Sequence, residues 1–200
     1  MTLPSDQFGA KPAVLRCSRC GKFVDWEDAQ VQVICTCRPH LDLPPVLVRE
    51  ATETDRAAAR ELFARDFGRT KIVAFGEVMD IDQMPALVAV MHADPSGALA
   101  YRIHGDALHI VALATDPMWQ RSGVGGHLVA EAELYARRLK LARLVVATTN
   151  DNLPALYFYQ RRGYRLTDLV PNSITTHTRQ EVPGFAGIPV RDEVRLEKRL

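Results

Sequence analysis

Four cysteines crowd the front of the chain. Cys17 and Cys20 form a Cys-Ser-Arg-Cys run followed by Gly21, and Cys35 and Cys37 flank a single threonine. A Cys-x-x-Cys-Gly turn aims two thiolates at one point, and a second close pair completes a tetrahedral sulfur set, which suits Zn2+. The residues between the pairs offer only Phe23, Val24, Trp26, Val31, Val33 and Ile34 as core. That is too little apolar area to fold alone, so metal binding would supply most of the folding free energy. Four protein ligands would close the site and make it structural. Two disulfides are the competing reading, which a reducing cytosol disfavours, and a redox pair at Cys17 and Cys20 leaves the second pair unexplained. His40 is a substitute ligand should one cysteine not serve.

A second cluster is glycine-rich: Gln120-Arg121-Ser122-Gly123-Val124-Gly125-Gly126. Glycines there let backbone N–H groups approach an anion, and the start of a helix adds partial positive charge, so a pyrophosphate is the natural guest. The loop is not a P-loop, because His127-Leu128 stands where Lys-Ser/Thr is needed, and Leu128 also denies it the last glycine of a dinucleotide fingerprint. Further on, Asn152-Leu-Pro-Ala155-Leu-Tyr-Phe158-Tyr159-Gln-Arg-Arg-Gly163-Tyr164 combines a cap-forming amide with buriable phenols.

These clusters need elements to hold them. Prolines at 39, 44 and 45 mark 39–45 as a linker. A strand is expected at 46–51, and a helix at 53–67 with Ala57, Ala58, Leu62 and Phe63 on one face and Thr52 or Thr54 as cap. Residues 68–84 read as an extended loop with a short strand near 72–75. Strands follow at 86–92 and 98–104, joined by a turn at Asp94-Pro-Ser-Gly97, and a third at 107–115. A helix at 120–140 carries Val124, Leu128, Ala132, Tyr135 and Leu139 as its apolar stripe. A buried strand at 143–149 leads to a helix from 153 to about 161, capped by Asn152, with Gly163 past its end. Strands at 164–170 and 190–199 complete a mixed α/β layer fold.

The glycine loop and the later segment together resemble the GNAT superfamily of acetyl-CoA-dependent N-acetyltransferases. The loop fits the family's Gln/Arg-x-x-Gly-x-Gly/Ala element, and 152–164 fits its Asn-x-x-Ala-x-x-Phe-Tyr-x-x-x-Gly-Phe/Tyr element. The resemblance covers about 46–200. It implies a mostly antiparallel central sheet with flanking helices, in which the family's fourth and fifth strands, here 107–115 and 143–149, splay apart. The pantetheine arm of acetyl-CoA, the co-substrate, would enter the wedge and pair with the backbone of Leu113, Ala114 and Thr115. Amides from Arg121 to Gly126 would hold the pyrophosphate behind Gln120. Asn152 matches the asparagine near the pantetheine and adenosine side, with a helix cap as the alternative role. Tyr159 matches the tyrosine that protonates the departing thiolate, a task a phenol with a pKa of roughly 10 can perform; simple packing on the cofactor is its competing role, and Tyr157 faces elsewhere.

Where members with an identified base carry a glutamate, eleven residues before Gln120, this chain has His109. An imidazole with a pKa of roughly 6.5 suits proton removal from an amine. His104, Asp106 and Asp116 are lesser candidates, and proton removal through water needs no dedicated base. Residues 172–189 make a long excursion that is either a mobile loop or a wall of the acceptor site, with His177, Arg179 and Glu181 as contacts.

The 200-residue chain carries 47% hydrophobic and 24% charged residues with a net charge of +1, so wholesale disorder is excluded. It has no apolar run long enough for a bilayer, and its first residues lack a secretory signal, which points to the cytoplasm. The organisation expected is a tail at 1–12, a zinc-ribbon-like module at 13–42 and a GNAT domain at 43–200. The ribbon has no net charge, with five Lys/Arg against five Asp/Glu, which disfavours nucleic acid and leaves a protein contact. Residues 119–165 carry +5 and residues 43–118 carry −4, suiting CoA phosphates and a cationic amine acceptor respectively. The competing function is a non-catalytic acetyl-CoA-binding module whose ribbon recruits a partner. A homodimer is compatible with the sequence, which does not fix an oligomeric state.

Overall fold

The computed structural model of the protein describes residues 46–91, 94–178 and 182–200. Cys17, Cys20, Cys35, Cys37 and His40 lie outside them, as do Arg179 and Glu181, and with them the ribbon expected at 13–42. Among the described residues no cluster of His, Cys, Asp or Glu could hold a metal, and no helix is long and apolar enough to cross a membrane.

A seven-stranded sheet organises the chain. Across the sheet the order is β1 (Leu47–Glu50), β4 (Ala86–Met91), β5 (Asp94–His104), β6 (Ala107–Thr115), β7 (Arg143–Thr149), β11 (Glu193–Arg199) and β8 (Arg165–Val170), so the last strand of the chain lies between β7 and β8. All contacts are antiparallel except β6 with β7. A small hairpin of β2 (Lys71–Ala74) and β3 (Glu77–Asp80) stands apart, and β9 (Val182–Pro183) pairs with β10 (Pro189–Val190). The helices are α1 (Arg56–Phe67), α2 (Val124–Arg138), α3 (Leu153–Gln160) and α4 (Ser173–Thr178).

Both faces of the sheet are covered, so its central strands read as continuous apolar runs. Leu99, Leu108, Ile110, Leu144 and Leu196 face α2, which contributes Val124, Leu128, Val129, Ala132 and Ala136, and α3, which contributes Tyr159. On the opposite face Val88, Ala98, Ala100, Val111, Ala112 and Ala114 meet Ala59, Leu62 and Phe63 of α1 and Ala74, Met79 and Ile81 of the hairpin. The alanines on that face let α1 and the hairpin settle close to the backbone of β5 and β6. Each fully buried leucine is worth about 2 kcal/mol by transfer alone, so this double layer, not helix propensity, fixes the fold.

Several expected elements shift. Ala57 is exposed and Ala59 takes its place in the core, while Leu139 sits exposed at the end of α2. α2 starts at Val124, and 120–123 forms the loop before it. Asp94–Gly97 is not a turn: Met91 pairs with Asp94, and Gly97 lies within β5 opposite Thr115. Packing explains the glycine, because a β-carbon at 97 would lie 2.7 Å from Cγ1 of Val124. The stretch 68–84 is the β2–β3 hairpin, whose two turn residues, Phe75 (φ 56°) and Gly76 (φ 74°), both adopt the left-handed conformation of a tight primed turn. A bulky aromatic there breaks the usual Asn-Gly signature, which hid the hairpin in the sequence. Residues 172–189 carry α4, β9 and a 3-10 turn at Phe185–Gly187, so the excursion is structured wherever it is described.

Candidate active site

The wedge forms where β6 and β7 part. They pair only from Ala107 with Arg143 to Ile110 with Val146. At that point β6 bulges: Tyr101 faces Ile110 and Ala100 faces Ala112, leaving Val111 unmatched. The bulge re-aims β6, whose last residues, Leu113, Ala114 and Thr115 among them, pair with β5 on one side only.

The glycine loop stands at the open end of that edge. Arg121 (φ 65°) and Gly123 (φ 99°) are left-handed, and Gly123 caps α2. The first bond of the helix runs from the N–H of His127 to the carbonyl of Gly123, so the amides of Val124, Gly125 and Gly126 have no partner within α2. The N–H of Ser122 donates to the carbonyl of Trp119, as does its hydroxyl, which closes the loop from behind. Thr115, Leu113 and Phe158 all come within 3.7 Å of where a β-carbon on Gly125 would sit, joining loop, strand edge and α3.

Asn152 caps α3, accepting from the N–H of Ala155 at 3.1 Å. The cap role is thus occupied by its oxygen. From α3, Tyr159 turns into the core at 4% exposure while Tyr157 is 42% exposed. The Tyr159 ring meets Phe158 and Tyr164 edge-on at 5.0 and 5.3 Å, and burial pushes its phenol well above the ordinary range.

His109 lies on the other face of β6. Its ring stacks beneath Phe75 at 4.2 Å and stands 5.4 Å from His104. Burial, then the charges of Arg102, His104, Arg143 and Arg195, lower its pKa to about 4. Its Nδ1 is buried without a partner among the described residues, as is Nε of Arg102. The other acidic candidates are tied elsewhere: Asp106 pairs with Arg143, and Asp116 pairs with Arg65 and accepts from the N–H of Met118. The sheet thus separates Tyr159 from His109, one on each side of the wedge.

A model of the Acetyltransferase (GNAT) family matches residues 44–164. The chain belongs to this family. It is 33% identical over 144 residues to protein YxbD of Bacillus subtilis, covering 69% of this chain and 89% of that one. Its fold is similar to that of an IAA acetyltransferase from Bacillus cereus (TM-score 0.64, 21% identity, 78% of this chain and 100% of that one). It is also similar to a GNAT acetyltransferase from Elizabethkingia anophelis solved with acetyl-CoA bound (TM-score 0.60, 21% identity, 78% of this chain and 98% of that one).

In this GNAT acetyltransferase four residues around the wedge, Arg162, Glu193, Phe75 and Asn150, escaped the sequence reading. Arg162 lays its guanidinium 3.9 Å over the ring of Phe158 and so close to α2 that a β-carbon on Gly126 would collide with it. Among the described residues its guanidinium donates one hydrogen bond, to the carbonyl of Phe158 at 3.5 Å, and partial burial lowers its pKa. The sequence signal was its spacing from Asn152, but nothing local links position 162 to position 126. Glu193, 1% exposed, accepts from Nε of Arg195 at 2.6 Å and from the N–H of Gly76 at 3.2 Å, fastening the hairpin tip to β11. Phe75 completes that fastening, with Arg102 and Arg195 over its ring at 5.4 and 5.8 Å. Asn150, at the end of β7, accepts from the N–H groups of Arg191 and Asp192 and donates to the carbonyl of Pro189, tying the 171–192 segment to the mouth of the wedge.

Proposed function

We propose that this acetyltransferase moves an acetyl group from acetyl-CoA directly to a primary amine. The observation that carries the reading is the one-sided edge of β6 beyond Ile110, which ends beside the α2 amides that have no partner within the helix and the guanidinium of Arg162, which has no ion pair among the described residues. The edge offers peptide groups to an amide-bearing arm, and the amides with Arg162 offer donors to phosphates. Gln120 to Gly126 would cradle the pyrophosphate, Leu113 to Thr115 would pair with the pantetheine, and Asn152, its oxygen held in the cap, would flank it.

In the transfer the amine nitrogen forms a bond to the thioester carbon, and the carbon–sulfur bond breaks. The nitrogen releases a proton, and the thiolate gains one. Backbone N–H groups at the Val111 bulge are suited to the charge that develops on the carbonyl oxygen. Tyr159, kept protonated by burial, is the donor to the thiolate. His109, unprotonated at neutral pH, is the acceptor of the amine proton, directly or through water.

Release of CoA thiol against a panel of amines, in the wild type and in Tyr159→Phe, tests this. Amine-stimulated release that collapses in the variant supports it; tight acetyl-CoA binding without release on any amine would leave a non-catalytic binding module. For the four cysteines the reading remains structural Zn2+ on Cys17, Cys20, Cys35 and Cys37, and metal analysis of protein purified under reducing conditions should find about one zinc per chain.

A further inference from the structure

We infer that Asp151 is the anchor for the acceptor's ammonium group at the mouth of the wedge, beneath the turn at 184–188; this rests on the acetyl-transfer reading above. The residue stands two places past the end of β7 and one before the cap of α3, so the backbone itself sets it at the mouth. It is 7% exposed. Its Oδ2 accepts from the N–H of Phe185 at 2.9 Å, while Oδ1 is buried with no hydrogen-bond partner among the described residues. No cation among them forms an ion pair with it.

A buried carboxylate in that condition costs the fold stability, because its second oxygen has lost water and gained nothing in return. Its two neighbours are fully engaged: Asn150 serves the backbone of Pro189, Arg191 and Asp192, and Asn152 caps α3. Of these three consecutive polar side chains, the charged one keeps an unused oxygen. An ammonium meets both needs at once, an N–H for Oδ1 and a positive charge for the carboxylate, and such charge-assisted hydrogen bonds are the stronger kind. After the ammonium has given up one proton to His109 or water, its remaining N–H groups stay on Asp151. The carboxylate then faces the positive charge that grows on nitrogen as the nitrogen–carbon bond forms.

The turn over Asp151 must lift to admit an amine, and its contacts are of the kind that release. No residue of 182–190 belongs to either apolar core, and Phe185 is half exposed. The turn is closed on itself, the N–H of Gly184 donating to the carbonyl of Ile188 and the N–H of Ile188 to that of Phe185, so it moves as a unit. Polar bonds hold it to the mouth, from Phe185 to Asp151 and from Asn150 to the carbonyl of Pro189. A segment without buried apolar contacts opens at low free-energy cost. A β-carbon on Gly184 would collide with the Asp151 carboxylate, so the closed position depends on that glycine. An incoming ammonium therefore competes with one backbone N–H for the carboxylate.

The test uses amines and their alcohol counterparts: phenethylamine and phenethyl alcohol, hexylamine and hexanol, tryptamine and tryptophol. Binding of each to the full chain is measured by calorimetry for the wild type and Asp151→Asn, with amine kcat/KM, KM for acetyl-CoA and urea unfolding alongside. Asparagine keeps an oxygen for the N–H of Phe185 and removes the charge. At least one amine should bind the wild type about tenfold more tightly than its alcohol. In Asp151→Asn that preference should vanish and kcat/KM for the amine should fall about tenfold, with KM for acetyl-CoA unchanged. The urea midpoint should not fall, because the variant loses a buried charge that no described cation pairs. Failure of every amine to outbind its alcohol overturns the inference, as does a preference that survives in Asp151→Asn. A lowered urea midpoint also overturns it, since the carboxylate would then serve the fold. Ammonium-selective binding lost in Asp151→Asn without acetylation of any amine would keep the Asp151 site and sink the acetyl-transfer reading instead.

Discussion

The ring of Phe75 lies on that of His109, with centroids 4.2 Å apart and planes 24° from parallel. The two residues come from different layers, a left-handed turn and the fourth strand of the family fold, and each explains a peculiarity of the other. Phe75 tolerates φ 56° because its ring is stacked on His109 and flanked by Arg102 and Arg195. His109 has a pKa of about 4 because that ring helps to exclude water while neighbouring cations oppose a further charge.

Phe75→Asn should uncouple them. Asparagine accepts the left-handed turn with less strain, so the loss of ring packing is partly offset and the net stability change should stay within about 1–2 kcal/mol. The His109 imidazole should titrate well above 4, toward the free value, in an NMR titration. No upward movement would show that the ring does not control the histidine.

The low pKa has a stability consequence of definite sign. Between about 6.5, the value in the unfolded chain, and about 4, the unfolded state binds the extra proton, so His109 lowers stability as pH falls through that window and adds no further slope below it. His109 still touches solvent, which screens the effect to about 1 kcal/mol. Urea unfolding at pH 7 and pH 4.5 should therefore show a smaller acid loss in His109→Gln than in the wild type. The same neutral imidazole predicts that kcat/KM has no inflection near 6.5 and falls only at more acid pH.

Tyr159→Phe should lower kcat by about 100-fold with little change in KM for acetyl-CoA. Burial raises the phenol's pKa, so the wild type should keep its activity through the alkaline range as far as this group is concerned. A Tyr157→Phe variant, altered at an exposed ring of the same helix, is the comparison that separates proton donation from general damage to α3.

Arg162→Ala should raise KM for acetyl-CoA about tenfold with a smaller effect on kcat, because a guanidinium beside the α2 amides acts on binding and not on the reacting bond. The rise should shrink at high salt. A fall in kcat with KM intact would assign Arg162 to α3 packing instead.

Gly97→Ala should cost about 1–3 kcal/mol in chemical denaturation, since the new methyl meets Val124 at 2.7 Å and Leu128 at 3.0 Å where α2 crosses β5. Pairing it with Val124→Ala should restore part of the loss. Additive losses in the double variant would exclude that contact as the cause.

Much of the site was legible because its signals are local. The left-handed glycine before α2, the cap from Asn152 to the N–H of Ala155 and the left-handed Gly163 after α3 depend on backbone conformation over a few residues, which residue type dictates. On α3 Tyr157 reads as facing away from Tyr159, and the strand at 143–149 reads as buried; Tyr157 is indeed exposed where Tyr159 is buried, and Leu144, Val145 and Val146 are buried. The misreadings fall where residue type says one thing locally and packing says another: Gly97 as a turn, Phe75-Gly76 as no turn at all.

The sequence by itself thus determined the family motifs, the order of the main strands and helices and the residues available for acid–base work. Tertiary structure alone decided the state of those residues. The pKa of His109 is set by a ring and cations from three other elements, and Arg162 meets Gly126 only because α3 packs beside α2. Charge counted along the chain cannot foresee this, since Coulomb energy and desolvation depend on separation and burial in space, and pairing in space is settled only when the layers close.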